Sequence, residues 1–165
     1  MEMRLCKGVY LAGPMAGLRP TVMKGWREIA KLDLEAAQIP VLDPTRRITY
    51  HEQTINDKGL NHNAANRIFK QDLRDIARCE VLLVDMRDHH NAKSQGTAAE
   101  MMFAHMKNKI IIVWKDKNDR ANFVGHSTHE WIENYFKQVP QWIPNDLDIV
   151  DRINKFNIIF SHFYI

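Results

Sequence analysis

Ser94-Gln95-Gly96-Thr97-Ala98-Ala99-Glu100 follows an apolar run, Val81 to Val84, that closes on Asp85, and it leads into a segment of helical character, Met101 to Met106. A buried-strand run, a polar loop with glycine and a helix start have the layout of a βα unit in a parallel sheet. Ligands of such sheets lie beyond the carboxyl ends of the strands, so Glu100 stands where a ligand is expected. Two readings compete for it. Thr97-x-x-Glu100 fits a capping box, in which the Glu side chain bonds back to the cap N–H, and the pattern by itself favours this one. In the other, Glu100 is a carboxylate nucleophile, and its helix N-terminus favours the ionised form that attack requires.

Outward from this stretch the chain alternates strands and helices. Gly8 to Ala12 reads as the first strand, opening near Leu5. A loop with two Gly and two Pro, Gly13 to Pro20, follows. Trp26, Ile29, Ala30 and Leu34 recur at helical spacing and predict a helix over Val22 to Ala37. Ile39 to Leu42 is a short strand stopped by Asp43-Pro44. Thr45 to Asn63 is polar with little period, and a loop of that length in a compact domain is usually functional. Ala64 to Cys79 reads as helix, with Ile68, Leu73, Ile76 and Ala77 on its apolar side. Glu80 to Met86 and Lys109 to Trp114 are the third and fourth strands, separated by a polar loop, 87–93, and the helix of Glu100. Trp131 to Phe136 and Asp146 to Phe156 read as helices, and Pro140 to Pro144 as a fifth short strand. Ile158 to Ile165 is apolar enough to pack on the core or on another subunit. The alternation predicts one domain over 1–165, a three-layer α/β fold with a mostly parallel sheet of about five strands.

Composition bounds the function. The chain has 165 residues, 45% hydrophobic and 26% charged, with a net charge of +3, which is ordinary for a globular protein. No dense Lys/Arg block accompanies the mild basicity, so nucleic acid is not an expected partner. Two cysteines, Cys6 and Cys79, are too few for a disulfide scaffold. No run reaches the length of a membrane span, and the N-terminus lacks a long apolar leader segment. These features predict a cytoplasmic protein. His89-His90 and His126-x-x-His129 offer imidazoles, but without H-E-x-x-H or paired cysteines no metal is expected. Dinucleotide, P-loop and serine-elbow fingerprints are absent from the sequence.

Tyr10, Asp72, Asp85 and Glu100 gather at the same predicted sheet edge. Taken singly, a strand Tyr is usually core, a helix Asp solvated and a strand-terminal Asp a turn former. Together with Val9-Tyr10-Leu11-Ala12-Gly13-Pro14, Gln71-Asp72-Leu73, Val81 to Asp85 and Gly96-Thr97-Ala98-Ala99-Glu100, they resemble the nucleoside 2-deoxyribosyltransferase family. That family includes the nucleoside 5′-monophosphate N-glycosidases. The resemblance covers about residues 8–115 in order and is weak in the last third. It implies a Rossmann-like, flavodoxin-like domain that cleaves an N-glycosidic bond without cofactor or metal. It implies Glu100 as the nucleophile on the anomeric carbon, Tyr10 as its orienting hydrogen-bond partner and Asp72 as the acid that helps protonate the leaving base. Asp85 and Gly96 would support the substrate pocket.

The resemblance also addresses the substrate, a nucleoside or a nucleotide. Six residues before Glu100, free-nucleoside transferases tend to carry an acid and monophosphate hydrolases a serine; here stands Ser94. Gly13, Gly17 and Arg19 resemble the hydrolases' phosphate loop, although Ala16 replaces the usual arginine. The expectation leans to a monophosphate, with free-nucleoside transfer as the alternative. A catalytically silent nucleotide-binding module and a different α/β enzyme, such as one cleaving NAD, are further alternatives. The family implies at least a homodimer, in which a neighbouring subunit often completes the site from a segment after the fourth strand. Asn122, His126 and Ser127 occupy that segment here.

Overall fold

The computed structural model describes residues 6–15, 18–47, 62–87 and 95–114. Their elements run β1 (Val9–Ala12), α1 (Pro20–Ala36), β2 (Val41–Leu42), a 3-10 turn (Pro44–Arg47), α2 (His62–Arg78), β3 (Val81–Asp85), α3 (Gln95–Met106) and β4 (Ile110–Trp114). The strands pair in the order β2-β1-β3-β4, every pairing parallel. This is the doubly wound, flavodoxin-like arrangement. The chain steps outward from β1 to β2, then crosses back over β1 to β3. The reversal leaves a crevice beyond the carboxyl ends of β1 and β3, the switch point at which such sheets bind ligands.

Strand alternation builds two cores. Val9, Leu11, Val81, Leu83, Ile112 and Trp114 point to one face, where Trp26, Ala30 and Leu34 of α1 cover them. Tyr10, Ala12, Leu82, Val84, Ile111 and Val113 point to the other, against Ile76 of α2 and Met101 and Ala104 of α3. β3 and most of β4 are buried on both sides, which explains their unbroken apolar runs. Tyr10 therefore faces the layer that carries Glu100.

Several boundaries differ from the sequence-based expectations, for local reasons. α1 begins at Pro20 rather than Val22, because the missing proline N–H costs nothing in a first turn. It ends in a Schellman motif: Gln38, at φ 63°, donates to the Glu35 carbonyl at 2.9 Å, and Ile39 donates to the Leu34 carbonyl at 2.9 Å. Ile39, expected in β2, is thus the apolar residue closing that cap against Leu34. The same device ends α3, where Asn108 has φ 53° and Lys109 donates to the Ala104 carbonyl at 2.9 Å, so β4 opens at Ile110 and not at Lys109. The polar stretch Thr45 to Asn63 is not wholly loop, since its first residues close the 3-10 turn and its last two open α2. On α2, Ala77 is exposed, whereas Asp72 and Asp75 are buried. The proposed fifth strand 140–144, the helices 131–136 and 146–156 and the tail 158–165 lie outside the described residues.

Leu34 is fully buried and serves both the α1 core and its cap. Leu34→Ala should lower stability by about 2–5 kcal/mol through the cavity it leaves. Denaturant unfolding of the two proteins measures the difference.

Candidate active site

Tyr10 stands second in β1 with its side chain wholly buried. Its hydroxyl donates to Glu100 Oε1 at 3.1 Å, joining residues 90 positions apart. The helix of Glu100 begins at Gln95, so Thr97 already lies inside α3 and is buried. Glu100 stands in the second turn, not three residues after a Thr97 cap, and its carboxylate turns inward to Tyr10. The capping-box expectation is overturned by this geometry.

The electrostatics reverse another expectation. Glu100 is 6% exposed. Burial, then the charge of Asp72, push its carboxyl up from 4.5 to about 8, against the opposing effects of the Tyr10 hydrogen bond and of Arg27. The helix N-terminus does not set its ionisation; loss of water does. Burial, Glu100 and Asp72 raise the Tyr10 phenol far above its ordinary value, so Tyr10 stays a neutral donor. Asp72, expected to be solvated, is 4% exposed, and its charge acts on both members of the pair.

Asp85 closes β3 at the same edge, but Arg87 takes both of its carboxylate oxygens. Nε donates to Oδ1 at 2.9 Å, Nη2 to Oδ2 at 2.9 Å, and the Arg87 amide to Oδ1 at 3.1 Å. The same guanidinium lies 3.2 Å from the centre of the Trp114 ring. Gly13 follows β1, where a Cβ would come within 3.0 Å of Arg27 Nη2 and 3.2 Å of Asp85 Cβ, so no larger residue fits without displacement. Arg19 is exposed at the cap of α1, and Gly96 is exposed in the first turn of α3. Gly17, Ser94 and Ser127, with Asn122 and the four histidines weighed as metal ligands, lie outside the described residues. Among the described residues no cluster of His, Cys, Asp or Glu could hold a metal ion, and no helix is long and apolar enough to cross a membrane.

Sequence reasoning missed three arginines. Arg27, on α1, is fully buried and donates to the carbonyls of Leu11 at 3.4 Å, Gly13 at 3.0 Å and Met23. Its Nε lies 3.8 Å from Asp43 Oδ1. Burial lowers its pKa, while Asp43 and Asp85 oppose that shift. Arg46 bonds the Asp43 carbonyl at 2.6 Å and the buried Asp75 carboxylate at 2.7 Å, one turn beyond Asp72. Arg87 is the third. Arg46 and Arg87 lie at element ends close to aspartates, a signal the sequence offered, whereas Arg27, in the middle of α1, is bonded to backbone carbonyls that no sequence pattern displays.

A family model described as nucleoside 2-deoxyribosyltransferase matches residues 9–137. A search of curated proteins gave no match. Among solved structures, the chain is similar to a 2-desoxiribosyltransferase from Leishmania mexicana, with a TM-score of 0.53 and 16% identity over 94% of this chain and 98% of that one. It is similar to a 2-deoxyribosyltransferase from the bacterium Bacillus psychrosaccharolyticus at a TM-score of 0.51 and 16% identity, over 70% and 77% of the two chains. A conserved protein from Enterococcus faecalis V583 matches at a TM-score of 0.52 and 11% identity, over 95% and 96%. At these identities the likeness to solved structures is one of fold.

Linkage fixes how Glu100 affects stability. Between pH 4.5 and about 8 the folded carboxyl keeps a proton that the unfolded one has lost. Folding therefore takes up a proton, and stability falls as pH rises through that window, then levels off above it. Glu100→Gln mimics the protonated form. It should match the wild type near pH 5 and exceed it above pH 8 by a few kcal/mol, on the order of the raised pKa. Denaturant titrations at the two pH values test this.

Proposed function

We propose that this chain, which belongs to the nucleoside 2-deoxyribosyltransferase family, cleaves the N-glycosidic bond of 2′-deoxynucleosides or their 5′-monophosphates with Glu100 as nucleophile. The buried Tyr10–Glu100 hydrogen bond beside Asp72, at the switch point of the sheet, carries this reading. Glu100 Oε attacks the anomeric carbon as its bond to the base nitrogen breaks. Charge develops as an oxocarbenium-like transition state, and a covalent glycosyl-enzyme forms. The electron pair of the broken bond leaves on the base, which is a poor anion, so a proton must reach it. Asp72 is assigned that delivery. A proton passed from Glu100 to Asp72 would ionise the nucleophile and arm the acid together. Tyr10, held neutral, keeps the attacking oxygen in line. Water or a second base, giving up its proton to the Asp72 carboxylate, then attacks the same carbon, the glycosyl–Glu100 bond breaks with its electron pair returning to the carboxylate, and configuration is retained.

The leaning to a 5′-monophosphate rests on Ser94, whose hydroxyl can donate to a phosphate where a carboxylate would repel it. Gly13, Gly17 and Arg19 are assigned to the same anion. Transfer between free bases is the second reading, favoured by the family's description. Self-association through the 158–165 tail, with Ser127 offered to a neighbouring site, completes the proposal.

A panel of nucleosides and monophosphates, with and without an acceptor base, separates these readings by chromatography of the released base and any new nucleoside. On the substrate cleaved best, Glu100→Gln should lose about a thousandfold in kcat, roughly 4 kcal/mol of transition-state stabilisation. Near-normal turnover would sink the mechanism. Ser94→Asp should weaken cleavage of monophosphates more than of nucleosides, through like-charge repulsion; equal losses on both would remove Ser94 from the phosphate.

A further inference from the structure

We propose that Arg27 is a positioning residue for the Tyr10–Glu100 pair: from the far face of the sheet it fastens the backbone that carries Tyr10 and supplies positive charge behind the nucleophile. The proposal rests on the reading of Glu100 as nucleophile. A fully buried arginine needs its donors met, and here they are met where β1 ends. Nε reaches the Leu11 carbonyl and Nη2 the Gly13 carbonyl, the residues on either side of Ala12 and directly beyond Tyr10. Nη1 returns to the Met23 carbonyl of α1. One rigid guanidinium thus ties α1 to the strand end and to the first residue of the loop beyond it. A lysine has the charge but lacks the fork that serves several carbonyls at once.

The hold continues into the next strand. Asp43, just after β2, lies 3.8 Å from Arg27 Nε, and its Oδ1 also accepts from the Thr45 amide and hydroxyl at 2.8 Å each. Asp43 therefore stays in place whatever happens to the arginine. The groups that act on Arg27 are Asp43 after β2, Asp85 of β3, Tyr10 of β1 and Glu100 of α3. Those that act on Glu100 are Asp72 of α2, Tyr10 and Arg27. Asp85 is already matched by Arg87. Among the described residues Arg27 is thus the cation whose charge opposes that of Asp72 at Glu100, and Asp43 tempers it.

Three variants test this: Arg27→Gln, Arg27→Lys and Asp43→Asn, the last keeping an acceptor for Thr45. Two quantities are followed. One is kcat/KM against pH on the substrate the wild type cleaves. The other is the Glu100 carboxyl titration, read by infrared difference against Glu100→Gln, which needs no turnover. Arg27→Gln should move the falling limb, where the pair loses the proton that Glu100 passes to Asp72, and the titration to higher pH by about half a unit or more, with kcat down about tenfold or more. Arg27→Lys should leave the titration near the wild type and recover part of kcat. Asp43→Asn, which unmasks the arginine, should move both curves to lower pH. It carries the test alone if Arg27→Gln does not fold. Uniform loss of activity with both curves unmoved would overturn the proposal and reduce Arg27 to a core residue. If Glu100→Gln is itself active, the nucleophile reading fails. The infrared titration then still decides whether Arg27 governs the Glu100 carboxyl.

Discussion

A carboxyl group taken out of water at the edge of a parallel sheet must be hydrogen-bonded, and here Tyr10 meets that demand for Glu100. The contact sets strict terms for the fold. Tyr10 must face the α2–α3 layer, which holds only in the observed register; a slip of one residue would turn it to the α1 side. α3 must sit close enough for Glu100 to reach β1, which the burial of Met101 and Ala104 secures. Sheet register, helix packing and site geometry are therefore one problem solved together.

Charge is handled unequally around this pair. Arg87 grips Asp85 with a two-pronged fork, Arg46 grips Asp75, and Arg27 stands beside Asp43. Such pairs hold element ends in place because breaking one leaves a charge with little water to meet it. Glu100 is treated differently. Its hydrogen-bond donor is a neutral phenol, and the carboxylate that acts on it, Asp72, makes its ionisation harder. Groups held in such balance are the ones whose protonation changes readily during a reaction.

The sheet was legible from sequence because its strands are buried runs, and α1 because Trp26, Ala30 and Leu34 recur at helical spacing. Tyr10 and Glu100 were legible as members of one edge, since strand ends and helix starts collect there. Their contact was not, for 90 positions separate them. Thr97 misled because a cap pattern is local, whereas the helix already begins at Gln95 and Thr97 is buried inside it. Taken singly, Asp72 reads as solvated because a helical carboxylate usually is, and Asp75 received no reading. What buries them is tertiary: α3 packed alongside α2, and Arg46 arriving from the turn after β2. Arg27 was invisible for the same reason. Its partners are carbonyls, which every residue has and no sequence displays.

Catalysis requires binding that strengthens toward the transition state, and a carboxyl raised to about 8 by burial is suited to that. In the resting site the ionised form is poorly stabilised. Under the proposed mechanism, a sugar carbon gaining positive charge beside it would supply the missing counter-charge, so the carboxylate would become favourable just as it is needed. The same logic separates the frame of the site from its rim. A 5′-phosphate brought near Glu100 would add negative charge and hold the carboxyl protonated more strongly. Its charge would therefore have to be met by donors at the loop ends before that carboxyl could ionise. Under the proposed reading, Tyr10, Glu100 and the Arg27 support would serve a nucleoside and a nucleotide alike, and the choice between them would fall to the residues around the crevice.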